Sequence, residues 1–200
     1  LIEYKRTDNI RGWWNTAIGK PYTNGNIQLT HEAISACFTP TPQESIPDNT
    51  KGYFIGIDMG MICHVTMKCD DNYVMFKTVH SEQIVEFVRN LCSEYNIIAG
   101  ACDRHPYTPT ANAIYEASGW KVFPTEYRGS KSLQLVKEFG DRVTHVQADR
   151  TTFLDEITSK IRKRQIVISG WEHSVKKEEI ITHCKNIVRD ETPDKPATYV

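Results

Sequence analysis

The chain has 200 residues, enough for one ordinary globular domain with a short appendage. Hydrophobic residues are 40% and charged residues 24%, which excludes a mainly disordered chain. The formal net charge is −1, so contact with a polyanion requires a local basic patch or a bound cation rather than a globally basic surface.

The longest apolar runs, such as Tyr53 to Ile57 and Ile97 to Cys102, are far too short to span a bilayer, and no signal-peptide pattern opens the chain. The first residue is Leu1 rather than Met, which leads us to expect a fragment or a processed product. Cys37, Cys63, Cys69, Cys92, Cys102 and Cys184 form no C-x-x-C pair and read as small buried hydrophobes in a reducing compartment. The seven histidines are scattered without zinc-ligand spacing.

In chain order, residues 1–50 read as an N-terminal arm. Its aromatics are mixed with turn formers (Gly12-Trp13-Trp14-Asn15, Gly19-Lys20-Pro21-Tyr22), Thr30 caps a short helix, and a Pro-rich linker runs from Thr39 to Asn49. Residues 51–200 read as one domain. Tyr53 to Asp58, Met61 to Met67 and Tyr73 to Val79 form an antiparallel meander, with a turn at Asp70-Asp71-Asn72. Ser81 is expected to cap a helix whose stripe is Ile84, Val88, Leu91 and Tyr95. Asn96 to Cys102 reads as a buried parallel strand. Thr108-Pro109 opens a helix that Gly119 closes. Trp120 to Pro124 is a strand, Glu126 to Ser132 a polar stretch, and Val143 to Val146 a short strand. A helix over Thr151 to Lys163, a strand over Gln165 to Ser169 and a helix capped by Ser174 follow. The order predicts a mixed α/β sheet, an antiparallel meander plus parallel strands, with helices on both faces.

Asp58 and Asp103 each directly follow an apolar strand. If those strands are parallel neighbours, both carboxylates sit at one sheet edge. Side-by-side carboxylates repel unless divalent cations lie between them. Oxygen ligands of this kind suit Mg²⁺ or Mn²⁺, and two such ions suit an in-line phosphoryl displacement. Gly56 and Gly100 leave space beside the strands. From Lys121 to Arg164 there are ten Lys/Arg against six acids. Arg128 and Lys131 form a flexible basic loop able to reach a phosphate chain, and Arg162, Lys163 and Arg164 close a helix where cations also complement the dipole. His64 and His105 lie near the two acids in sequence and are auxiliary candidates for proton transfer or phosphate binding.

Taken in order, these segments resemble the nuclease domain of the large terminase subunit of tailed bacteriophages, an RNase H-like fold. The resemblance rests on Gly12-Trp13-Trp14-Asn15 through Gly19-Lys20-Pro21-Tyr22 with Thr30 and Ile34, on Gly56-Ile57-Asp58, and on Ala99-Gly100-Ala101-Cys102-Asp103. Asp149-Arg150-Thr151 and Asn186-Ile187-Val188-Arg189 complete it. It implies a metal-dependent endonuclease that cuts concatemeric double-stranded DNA with two divalent ions, Mg²⁺ or Mn²⁺, held by Asp58 and Asp103. Arg128, Lys131, Arg162, Lys163 and Arg164 are the DNA-binding candidates. Further expectations are an ATPase domain of the same polypeptide preceding residues 1–50, the small terminase subunit and the portal as partners, and the host cytoplasm as the location. No G-x-x-x-x-G-K-[ST] motor loop occurs in the chain. The family's third acid, in an Asp-His-x-x-x-Ala context, has no match. It is expected beyond Val200, with Asp190 and Asp194 as weak in-chain candidates.

Alternatives are a Holliday-junction resolvase or transposase-like nuclease of the same fold, an actin-like kinase (for which 200 residues are too few), and a catalytically degenerate DNA-binding or portal-docking module.

Overall fold

The computed structural model describes residues 29–40, 48–128, 133–137, 140–169, 175–187, 189–190 and 198–199. In chain order the elements are α1 (His31–Ser35), β1 (Phe38–Thr39), β2 (Tyr53–Asp58), β3 (Ile62–Cys69), β4 (Asn72–His80), α2 (Ile84–Glu94), β5 (Ile97–Asp103) and α3 (Thr108–Ala117). They continue with β6 (Val122–Tyr127), β7 (Gln134–Lys137), β8 (Val143–Ala148), α4 (Arg150–Arg162), β9 (Val167–Ser169), α5 (Val175–Asn186), β10 (Arg189–Asp190) and β11 (Thr198–Tyr199). None of the described helices is long and apolar enough to cross a membrane.

Nine strands form one mixed sheet in the order β1-β9-β4-β3-β2-β5-β6-β8-β7, and β10 pairs with β11 separately. Within the large sheet β3 and β7 run against the others, because tight turns make hairpins while helical crossovers return the chain in parallel. Asp70 occupies the left-handed region (φ 54°) in the β3–β4 turn, a conformation Asp tolerates. The β2–β3–β4 meander is the one the alternation predicts.

Alternation along β2 divides the structure into two cores. Tyr53, Ile55 and Ile57 are buried on one face, against Ile84, Val88 and Leu91 of α2 and Ala111 and Ile114 of α3. The apolar positions of α2 recur every three to four residues, which is what puts them on one stripe. The opposite face is covered toward β4, β9 and β1. There Ile34 of α1, Ile161 of α4 and Ile181 of α5 pack with Ile166, Ile168, Tyr73 and Phe76. Helices therefore flank both faces, as expected.

Several local expectations change. Helix α2 starts at Ile84 with Gln83 before it and no side-chain cap, because Ser81 is tied into a turn by its N–H to the Met61 carbonyl at 3.0 Å. Helix α4 runs from Arg150 to Arg162, one residue earlier than expected at each end, and Asp149 caps it by accepting the Thr152 N–H at 2.7 Å. Strand β6 starts at Val122 and runs on to Tyr127, because Gly119 and Trp120 both adopt positive φ and turn the chain first. Residues Thr30 to Thr39 pack into the domain: α1 fills the second core, and β1 adds to the sheet by pairing Phe38 with Ile168. The Trp13-Trp14 segment and Lys131 lie outside the described residues.

Candidate active site at the carboxyl edge of the sheet

Strands β2, β5, β6 and β8 are parallel, so their carboxyl ends share one edge. Ile57 pairs with Cys102, and the next residue on each strand is an acid, Asp58 and Asp103. Paired residues in a parallel ladder project from the same face, so both carboxylates leave the sheet on the side opposite the α2–α3 core. The juxtaposition that the two sequence runs imply is formed.

Close approach of the strands depends on Gly100. A Cβ there would lie 2.6 Å from Ile55 Cγ1 and 2.7 Å from the Ile55 carbonyl oxygen. Its register partner is Ile55, so the space it gives up lies on the core face and not beside the acids. Gly56 is on the acid face, where a Cβ would meet Thr66 Oγ1 at 3.0 Å.

Asp103 Oδ2 accepts the Met59 N–H at 3.3 Å, which fixes the carboxylate against the chain just past Asp58. Burial pushes the Asp103 carboxyl up to about 6, and the adjacent Asp58 adds to the rise. The Met59 N–H and the Arg150 charge act in the other direction. Burial is the larger cause of the rise, and the like charge of Asp58 adds to it.

Two further groups reach this site. Tyr127 ends β6 two residues past Thr125, the register partner of Asp103, so it projects from the acid face. It is half exposed, and burial of its hydroxyl together with the Asp103 charge raises its pKa. Arg150 is the first residue of α4, two residues past Ala148, which pairs with Tyr127. Its side chain is exposed, and its charge acts on both Asp103 and Tyr127. Sequence reasoning missed both roles. The only signal was the Asp149-Arg150-Thr151 match, which says nothing of the β6–β8 pairing.

The histidine candidates separate. His64 pairs with Asp58 across β2–β3, and its ring lies 5.6 Å from that of His183 on α5. His105 turns instead toward Glu126, at 3.7 Å, and its Nδ1 lies 3.3 Å from Thr108 Oγ1. Arg128 also engages Glu126: its Nη2 donates to Oε1 at 2.9 Å. Arg162, Lys163 and Arg164 end a helix of 13 residues that begins at the acid edge. At 1.5 Å per residue they lie roughly 20 Å away, toward the other edge. The side chain of Asp190 and the whole of Asp194 lie outside the described residues.

Among the described residues no group of three or more His, Cys, Asp or Glu converges on a metal position. The donor set of Asp58 and Asp103 nonetheless fits a hard divalent cation: both are carboxylates, they are adjacent in register, and Asp103 is raised first by burial and then by its acidic neighbour.

A mixed sheet with the central order β4-β3-β2-β5-β6, helices on both faces and acids ending the two middle strands defines the RNase H-like class. Within it, the chain is similar to the large terminase nuclease from thermophilic phage G20c with bound magnesium. That match has a TM-score of 0.55 at 12% identity and covers 86% of this chain and 87% of that one. It is also similar to the nuclease domain of the large terminase subunit gp2 of bacterial virus Sf6, with a TM-score of 0.58 at 10% identity over 86% of each chain. A form of that Sf6 domain with manganese and beta-thujaplicinol gives a TM-score of 0.59, again over 86% of each chain. The HK97 bacteriophage large terminase matches 86% of this chain over 38% of its own length, with a TM-score of 0.50 at 9% identity. No family model and no curated protein matches the chain. At these identities the likeness establishes the fold, which is the one the sequence resemblance implies.

Proposed function

We propose that the chain is the nuclease domain of a viral DNA-packaging terminase large subunit, hydrolysing phosphodiester bonds of concatemeric double-stranded DNA with the aid of divalent cations. The observation that carries this reading is the register-adjacent pair Asp58 and Asp103 at the carboxyl edge, faced by Arg150 and Tyr127. Magnesium in the G20c nuclease and manganese in the Sf6 domain support a divalent ion here. Asp58 and Asp103 would hold the ions, two by this reading, Mg²⁺ or Mn²⁺. Such ions supply charge neutralisation at the phosphate and activation of water.

The chain's own groups do the rest. Asp103, held by the Met59 N–H, keeps its carboxylate beside Asp58. Arg150 offers guanidinium donors to a non-bridging phosphate oxygen, where charge builds up in the displacement. The Tyr127 hydroxyl stands beside it as a neutral donor. His64, next to Asp58 in the ladder, is within reach of proton traffic at that carboxylate. Arg128 and Lys131 are the proposed contacts to the DNA backbone. The ATPase domain of the same polypeptide, the small subunit and the portal are the proposed partners, and the host cytoplasm is the proposed place of action.

Plasmid nicking in Mn²⁺ tests the reading. The wild-type chain should nick, and Asp58→Asn should not; nicking by Asp58→Asn at the wild-type rate would overturn the site. A second reading, a catalytically degenerate DNA-binding module, is favoured by the two-acid donor set. It predicts DNA binding without nicking in any divalent ion.

A further inference from the structure

On the α2–α3 side of the same edge, one carboxylate among the described residues is surrounded by bases. Glu126, its side chain 13% exposed, faces Arg104 Nη1 at 3.5 Å, His105 Nε2 at 3.7 Å, Arg128 Nη2 at 2.9 Å and His145 Nε2 at 3.5 Å. Gln147 Nε2 donates to it as well, at 3.5 Å. The elements explain the convergence. Arg104 and His105 follow β5, Glu126 lies near the end of β6 and Arg128 just past it, and Gln147 is the register partner of Glu126 on β8. The Arg128 hydrogen bond holds the Glu126 carboxyl below the usual range, so it is charged near neutral pH.

One negative charge does not balance two guanidiniums, and two carboxylate oxygens cannot saturate ten guanidinium N–H donors. The excess is accessible: Arg128 and His105 are 63% and 59% exposed. A strut that served only the fold would need one cation for one acid. This cluster instead holds two guanidiniums in place before any ligand arrives, which lowers the ordering cost of binding an anion.

We propose that the Glu126-centred cluster is a second phosphate-binding site, taking a backbone phosphate of duplex DNA beside the cleavage site, with Glu126 as the internal counter-charge that the phosphate competes against. The inference rests on DNA being the substrate, and not on the cleavage chemistry. Arg–phosphate contacts of this kind fix register without reading sequence, so the site would position the duplex whatever its base sequence.

The test is binding of a fluorescent 30-base-pair duplex in EDTA across a salt titration, where cleavage plays no part. Arg128→Ala should weaken binding evenly across sequences and lower the salt slope by about one unit, and Arg104→Ala with Arg128→Ala by about two. Glu126→Gln, nearly isosteric, should bind DNA several-fold more tightly and with a steeper slope, since a competing charge is gone. A purely structural Glu126 would give unchanged or weaker binding, and that result overturns the proposal. So does an unchanged slope in Arg128→Ala, whose exposed side chain can be removed without threatening the fold, or no binding by the wild-type chain at low salt. Nicking by the wild type and by Asp58→Asn reports separately on the acid pair, so failure of either reading is distinguishable from failure of the other.

Discussion

Asp103 is a carboxyl whose folded pKa, about 6, stands above its ordinary 3.8. A group raised on folding contributes stability that is fully present below the unfolded value and is lost as pH rises through the folded one. The metal-free domain should therefore lose stability between about pH 4 and pH 7, with a ceiling near 3 kcal/mol at 1.36 kcal/mol per unit and less for a partly solvated group. Asp103→Asn should remove that dependence, melting higher than wild type at pH 8 and not at pH 4, while losing cleavage. Mn²⁺ should raise the wild-type melting temperature more than the variant's. Asp58 is exposed, so Asp58→Asn should cost about 0.5 kcal/mol or less in urea unfolding and at least about 100-fold in nicking. The two acids were legible because each interrupts an apolar run at its end. Tyr127 and Arg150 were not, since only the β6–β8 register brings them to the pair. Arg128 was legible as a base, but its engagement by Glu126, two residues earlier in a strand end that reads as polar loop, was hidden.

The elements that position the site are β2 and β5, and Gly100 sets their distance. Gly100→Ala places a methyl group against Ile55 Cγ1 and the Ile55 carbonyl oxygen; the side chain can turn away but the backbone oxygen cannot. It should cost about 1–3 kcal/mol in urea unfolding. It should also lower nicking beyond the stability loss, because β2 must shift and carry Asp58 with it; full activity in a folded Gly100→Ala chain would separate the acids from the strand spacing. The meander, α2, α3 and α4 were readable from periodicity and from Pro and Gly punctuation. The two-residue β1 and four-residue β7 were not, since segments so short carry no period. Both form because neighbouring strands, β9 and β8, offer unpaired edges.

Across the whole molecule, the second core draws on both ends of the described chain. Leu29, Ile34 and Cys37 pack with Ile161, Ile168 and Ile181. A polypeptide beginning at residue 49 would lose those three buried side chains and leave their partners wet. At roughly 1.5–3 kcal/mol per large side chain, it should be less stable by up to about 5 kcal/mol than one beginning at residue 29. Urea midpoints of the two compare them directly. The composition shift near residue 50 marks a real change of texture, yet the apolar residues before it complete the fold. Their partners lie more than a hundred residues away, and no local pattern encodes that.

The hydrogen bond from Met59 to Asp103 spans 44 residues of chain. The β2–β3–β4 hairpins close locally and fast, whereas pairing β2 with β5 waits for the whole α2 crossover. During synthesis, Asp58 is therefore displayed alone on a small meander, an exposed carboxylate with no second acid to share an ion. The paired-acid edge arrives only with the non-local closure that also seals the first core. A half-made chain carries one acid of the pair, and the completed edge exists only on a finished domain.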